Sequence, residues 1–197
     1  MPSGNLPQGN GQAIIFSAPS GAGKTTMVKS LMENAELSLG FSISATTRQL
    51  RGDEVASKSY YYLTQSEFDL KIEKGEFIEW EEVYKGTCYG TLCSEVENMW
   101  QKGLTPVFDV DVIGGKTLKE VFGDSALSIF IAPPSIEVLE KRLRGRGTES
   151  EKNIVGRLAK SVFELNEEKH FDVRIVNDDL ARAISETKQV VTDFLNK

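Results

Sequence analysis

The sequence predicts an α/β protein, built on a mostly parallel β-sheet with helices on both faces. Three observations carry that prediction. Apolar strand-like runs alternate with helix-like stretches at both ends of the chain, as parallel strands joined by helical crossovers require. A Gly-rich turn separates the first such strand from the first helix. The middle, by contrast, is richer in strands and aromatic residues, which predicts a small mixed subdomain inserted into the main one.

Each element has a local reason. Ala13–Ser17 is a short apolar run ending in a Gly-rich turn, so it reads as a buried strand. Thr25–Asn34 reads as a helix and Phe41–Ala45 alternates as a strand. Tyr60–Leu63 and Phe77–Val83 are aromatic and β-branched, and flank a helix over Ser66–Lys74. Thr64 with Glu67 forms a capping box for that helix. Ser94–Lys102 is helical, with Gly103 as its stop. Thr105–Val110 is a strand, Lys116–Phe122 a helix and Ser128–Ile131 a strand ended by Pro133-Pro134. Helices follow over Ser135–Arg144 and Glu151–Lys169, then the strand Val173–Val176 and the helix Leu180–Leu195.

Scarce residues exclude whole chemistries. His170 is the only histidine, so a multi-histidine metal site is excluded and a serine–histidine hydrolase would depend on it. Cys88 and Cys93 are too few for a cysteine zinc cluster. Their spacing permits a disulfide, but the reading is two free thiols in a reducing cytoplasm. The 197 residues carry 23 basic and 29 acidic side chains, a net charge of −6 that argues against a nucleic-acid or anionic-membrane partner. No apolar run approaches the ~18–20 residues needed to cross a bilayer. Met1–Gln12 lacks the pattern of a secretory signal and reads as a flexible leader.

Residues 18–25 read Ala18, Pro19, Ser20, Gly21, Ala22, Gly23, Lys24, Thr25. This is the phosphate-binding pattern G-x-x-x-x-G-K-[ST], with Ala18 in place of the first Gly. Small residues let backbone N–H groups curl around phosphate oxygens, while the following helix points its positive end at them. Lys24 then reaches the β and γ phosphates, and the Thr25 hydroxyl can ligate Mg²⁺. Asp109 and Asp111 stand two residues apart at the end of a strand, which directs both carboxylates to one side, toward the crevice at the strand ends. Arg48 and Arg51 follow the Phe41–Ala45 strand among hydroxyls, and two planar guanidinium forks suit a second phosphate. Tyr60, Glu79 and Tyr89 lie in the subdomain that those arginines introduce.

Taken together, these segments resemble the guanylate kinase family, enzymes that phosphorylate GMP with ATP. The likeness runs through SAPSGAGKTT (17–26), FSISATTRQLRGDE (41–54), YYYL (60–63), GEFIEWEEVY (75–84), CYGT (88–91), DVDVIGG (109–115), FIAPPS (130–135), KRLRGRGTES (141–150) and IVNDDL (175–180). GRGTES, IEWEE and IVNDDL are specific to this family among P-loop proteins. The resemblance implies a P-loop NTPase-type parallel core over 13–40 and 92–197, a GMP-binding subdomain over 41–91 and a helical lid over 137–160. It also implies ATP and GMP as substrates, Mg²⁺ with the ATP, and a monomer or a homodimer.

Roles follow residue by residue. The loop from Ala18 to Thr26, with Asn177 near the adenine, would hold ATP. Arg48, Arg51, Tyr60 and Tyr89 would hold the GMP phosphate. Ser44, Glu79, Thr91 and Asp111 would surround the guanine. Lys24 and Arg48, with the lid arginines Arg142, Arg146 and Arg157, would be catalytic. Thr25 and Asp109 would serve the metal. Base chemistry supports the guanine set independently. Guanine donates from N1–H and its N2 amine, which carboxylates accept, and Ser44 can donate to O6. Adenine has a lone pair at N1, so it would face a carboxylate acceptor to acceptor, and each unpaired buried polar group costs ~1–3 kcal/mol.

Three positions depart from the family pattern. Ala18 replaces Gly but is expected to keep a negative φ. Ile113 stands where family members often carry Gln and is assigned no role. Thr91 replaces a common Ser and keeps the hydroxyl. Two rival readings are weaker. Kinases of other nucleoside monophosphates, or of ribosyl bisphosphate, should lack the set Ser44, Glu79 and Asp111. A guanylate-kinase-like interaction module would usually lack a working phosphate loop, whereas Lys24, Thr25, Arg146 and Arg157 are all present. The GMP phosphate is already ionised, so the transfer needs no strong base and no histidine. His170 is read as a surface or packing residue.

Overall fold

The computed structural model describes residues 11–50, 52, 54–145 and 151–197. In chain order the elements are β1 (Ala13–Ser17), α1 (Lys24–Met32), β2 (Leu39–Phe41), β3 (Ala45–Thr46), β4 (Tyr61–Tyr62), α2 (Gln65–Glu73), β5 (Phe77–Tyr84) and β6 (Thr87–Leu92). They continue as α3 (Cys93–Gln101), β7 (Thr105–Asp109), α4 (Val112–Phe122), β8 (Ala126–Ala132), α5 (Ile136–Gly145), α6 (Glu151–Asn166), β9 (Val173–Val176) and α7 (Leu180–Leu195).

Five strands form a parallel sheet in the order β2-β7-β1-β8-β9. β1 is central, and all five of its residues are buried. Its alternation divides the core in two. Ile14 and Phe16 pack with Met27 and Leu31 of α1, Leu139 of α5 and Val191 of α7. Ala13 and Ile15 pack on the other face with Val96 of α3 and Leu118 and Phe122 of α4. Each large apolar side chain so buried contributes about 1.5–3 kcal/mol. The chain leaves β1 for β2 on one side and later returns to β8 on the other, so the strand order reverses at β1. Such a switch point leaves a crevice beyond the carboxyl ends of the strands, where ligands bind.

The second sheet, β4-β3-β6-β5, is mixed: β3 pairs parallel with β4 and antiparallel with β6, which pairs antiparallel with β5. It has a core of its own, made by Ala45, Phe68, Phe77, Cys88 and Leu92. The subdomain is nonetheless joined to the main core through β5, whose Ile78 packs with Ala13, Ile15 and Leu118.

The differences from the sequence reading have physical causes. The strand expected over Phe41–Ala45 is two strands: β2 ends in the core sheet at Phe41 and β3 begins in the subdomain at Ala45, so the alternation spans the link between them. β6 went unrecognised, because Gly90 interrupts its pattern and α3 follows it without a break. The α4 helix begins at Val112 rather than Lys116, since the pair Gly114-Gly115 disguises its first turn. The helix expected to reach Lys169 stops at Asn166, and a 3₁₀ turn over Glu168–His170 follows it. The Thr64–Glu67 capping box is present, and Cys88 and Cys93 are free thiols.

Candidate active site

The phosphate loop hangs from the carboxyl end of β1. Gly21 and Gly23 have φ of 94° and 103°, a region that disfavours any side chain. Ala18 is buried and is not among the residues with positive φ, so its methyl is accommodated as expected. The loop closes through Ala22 N–H donating to the Pro19 carbonyl at 3.0 Å. The α1 helix then starts at Lys24 with no side-chain cap, which leaves its first N–H groups directed at the loop. Lys24 Nζ lies 2.6 Å from Asp109 Oδ1 and 2.5 Å from the Val110 carbonyl. Sheet register explains this pairing, since Asp109 ends β7 beside Phe16 of β1.

Two predicted contacts of ATP stand behind the loop. Asn177 is buried and donates from Nδ2 to the Ala22 carbonyl at 2.7 Å. Arg142 Nη2 donates to the Asn177 carbonyl at 2.9 Å. Both therefore brace the loop from behind, and these contacts leave the adenine and lid-phosphate roles read from the sequence as proposals. Arg157, on α6, does reach the cleft: its Nη1 donates to Ser20 Oγ at 2.9 Å. Thr25 and Thr26 line the same phosphate pocket. Arg51 and Arg146 lie outside the described residues.

The adjoining pocket is acidic. Ser44, Glu79, Tyr60, Tyr89 and Asp111 line it, as the sequence reading required. Glu79 is buried, and Thr91 Oγ1 donates to its Oε1 at 2.7 Å. Thr91 is fully buried and positions Glu79 through this bond. Burial pushes the Glu79 carboxyl up to about 7, with neighbouring Asp111 and Glu81 adding to the rise. Gly114 makes this placement possible. A Cβ there would sit 3.1 Å from Glu79 Oε2, tight enough to force a shift.

Asp111 reaches the pocket by a different route from the one expected. β7 ends at Asp109, and Asp111 caps α4, its Oδ1 accepting from Ile113 N–H and Gly114 N–H at 3.1 Å each. Arg48 also differs from expectation. Its fork closes on Glu54 through two 2.7 Å bonds, and its Nε donates to Tyr89 Oη at 3.1 Å. Its guanidinium lies 5.0 Å from the Tyr60 ring centre. It buttresses the tyrosines that line the cleft and is not itself in the lining. Lys24, Tyr60, Tyr89 and Asp111 border both pockets, so phosphate loop and acidic pocket form one continuous cleft.

Four functional candidates escaped the sequence reading: Glu54, Glu81, Lys160 and Glu164. Glu81 lies two residues after Glu79 on the same face of β5, and strand alternation could have flagged it. Lys160 and Glu164 follow Arg157 at helical spacing on α6 and line the phosphate pocket with it. Glu164 is buried beside the loop, which raises its carboxyl above the ordinary range.

A phosphate loop at the switch point of a parallel sheet, opening onto a carboxylate pocket in an inserted subdomain, defines a P-loop kinase of small phosphorylated acceptors. Comparison with known proteins narrows this. The family model described as guanylate kinase matches residues 10–194, and the chain belongs to that family. It is 50% identical over 193 residues to the guanylate kinase of Bacteroides thetaiotaomicron, covering 98% of this chain and 94% of that one. It is 47% identical to that of Porphyromonas gingivalis, over 93% of this chain and 98% of the relative. The crystal structure of guanylate kinase from Anaplasma phagocytophilum superimposes with a TM-score of 0.76 at 29% identity, covering 95% of this chain and 87% of that one.

Proposed function

We propose that this chain transfers the γ phosphate of ATP to GMP, giving ADP and GDP, with dGMP as a further acceptor. The continuous cleft carries the reading: Lys24, Tyr60, Tyr89 and Asp111 belong at once to a phosphate loop and to a pocket lined by carboxylates. Glu79 and Asp111 would accept from N1–H and the N2 amine of guanine, and Ser44 would donate to O6. Tyr60 and Tyr89 would meet the GMP phosphate. Arg48 would hold those tyrosines, and Arg51 would supply charge to the same phosphate.

A GMP phosphate oxygen attacks the γ phosphorus in line, the bond to the β–γ bridging oxygen breaks, and ADP leaves. No general base is required, because the nucleophile is already an anion. Lys24 and Arg157 stabilise charge on the transferring group, and Arg146, outside the described residues, would add its charge to theirs. Arg142 and Asn177 hold the Ala22 carbonyl and so brace the loop. Thr25 and Asp109 offer hard oxygen donors beside the loop, which suits Mg²⁺ arriving with the nucleotide and keeping most of its own waters. When bound, that ion neutralises phosphate charge. Among the described residues no cluster of three His, Cys, Asp or Glu could hold a metal alone, consistent with this mode. No helix among them is long and apolar enough to cross a membrane, and the free thiols support a reducing, cytoplasmic setting.

The test is ADP formation from ATP across GMP, dGMP, AMP, UMP, CMP and ribosyl bisphosphate, with and without Mg²⁺. Turnover confined to GMP and dGMP and dependent on Mg²⁺ is expected. Preference for any other acceptor would overturn the reading.

A further inference from the structure

The two oxygens of Asp111 have different partners. Oδ1 is taken by the backbone at the start of α4. Oδ2 faces Lys160 Nζ at 3.3 Å, and the carboxyl of Glu81 lies beside that of Asp111. These two neighbours come from opposite walls of the cleft. Glu81 projects from β5 in the subdomain, and Lys160 projects from α6, one turn beyond Arg157. Lys160 also stands 3.7 Å from Glu164 Oε1. Oε2 of Glu81 is buried and makes no hydrogen bond.

A third acid in this pocket needs an explanation. The edge of guanine that carries N1–H and the N2 amine offers donors for Glu79 and Asp111. Glu81 then has no base donor left to meet, so its role lies in what it does to a neighbour. We infer that Glu81 and Lys160 are positioning residues for guanine recognition, holding the Oδ2 side of Asp111 from both walls of the cleft so that this carboxylate meets the base from one fixed direction. The inference rests on the reading that this pocket takes the guanine of GMP. A carboxylate held at both oxygens has less freedom to lose when the ligand arrives. Lys160 also ties the base pocket to the helix whose Arg157 grips the phosphate loop, so guanine and phosphate sites share one rigid element.

The pair has a pH signature. The groups facing Glu81 are Glu79 on its own strand, Asp111 at the start of α4 and Lys160 on α6. Tyr60, Tyr89, Lys24 and Asp109 complete the pocket wall. Burial and the adjacent Asp111 push the Glu81 carboxyl up to about 7. Below that pH Glu81 keeps its proton and donates it to Asp111. Above it Glu81 ionises, the two carboxylates repel, and Asp111 loses one of its supports. KM for GMP therefore rises on the alkaline side. Glu79 ionises over the same window and acts in the opposite direction, as does GMP on the acid side, so the contribution of Glu81 is read as the difference between the wild-type and Glu81→Gln profiles.

Steady-state KM and kcat for GMP at saturating ATP, from about pH 6 to about 8.5, decide it for the wild-type chain, Glu81→Gln, Lys160→Ala and Lys160→Arg. Lys160→Ala should raise KM about three- to tenfold, the worth of one charge-assisted hydrogen bond, with kcat held within about twofold. Lys160→Arg should recover most of the loss. Glu81→Gln keeps an amide donor toward Asp111 and should flatten the alkaline rise. An unmoved KM in Lys160→Ala, a fall in kcat at constant KM, or an alkaline limb that survives in Glu81→Gln would overturn the inference. A wild-type chain that makes no GDP overturns the functional reading beneath it, whereas wild-type turnover with unaffected variants overturns the inference alone.

Discussion

At the phosphate end of the cleft, charge is stored in pairs: Lys24 on Asp109, and Arg48 behind the tyrosines on Glu54. At the base end, Glu79 is buried with a neutral hydroxyl as its partner, and its carboxyl is held near its charge-neutral form. The first region waits for an anion by keeping its cations paired with carboxylates. The second waits for hydrogen-bond donors by keeping an acceptor dry. The contrast teaches that one cleft can pursue rate and selectivity with separate chemistry. Phosphate binding exchanges one ion-pair partner for another, and guanine binding gives a buried carboxyl the donors it lacks.

Substitutions at the two ends should therefore fail in different ways, beginning with the largest effect. Lys24→Ala removes a cation aimed at the transferring group, and steady-state assays should show kcat falling about 10²- to 10³-fold with KM for GMP little changed. A loss confined to KM would break the division. Asn177→Ala leaves the buried Ala22 carbonyl only its long bond from Arg142 and should cost about 1–3 kcal/mol in urea unfolding, with ATP use falling as the loop loosens. Full stability with lost ATP affinity would instead mean that Asn177 touches the nucleotide.

The next effect is one of pH. Glu79 has its folded-state carboxyl raised from 4.5 to about 7. Between those values the folded chain holds a proton that the unfolded chain releases, so stability falls as pH rises through this window. Glu79→Gln should flatten that slope in urea titrations of the ligand-free protein at about pH 5 and about pH 7.5. An unchanged slope would show that Glu79 is ionised throughout. The smallest effect belongs to His170, which is partly exposed beside Glu167. Substituting it by Ala should change stability by no more than about 0.5 kcal/mol and leave turnover intact; an assay showing a large loss would place it in the chemistry after all.

Legibility in the sequence follows the same contrast. The phosphate loop was readable because its residues are contiguous and fixed by backbone geometry. Glu79 and Asp111 were readable by resemblance and by the needs of guanine, but their supports were not. Thr91, Gly114, Glu81 and Lys160 come from β6, α4, β5 and α6, and only folding brings them together. Gly114-Gly115 misled the helix boundary for the reason that makes Gly114 useful: a Cβ there would crowd Glu79. The split of Phe41–Ala45 into two strands was hidden because alternation carries no mark of a change of sheet. Asn177 was expected near the adenine and Arg142 in the lid; the bonds by which both brace the loop depend on packing that spacing alone does not encode.

The most direct measurement is the ratio of kcat/KM for GMP to that for AMP, in the wild-type chain, Glu79→Gln and Lys24→Ala. Hydrogen-bond complementarity of this kind supports a wild-type ratio of about 10⁴ or more. The account predicts that Glu79→Gln collapses the ratio while Lys24→Ala lowers both values and preserves it. A ratio that survives Glu79→Gln, or that falls with Lys24→Ala, would contradict the separation of base selection from phosphate chemistry.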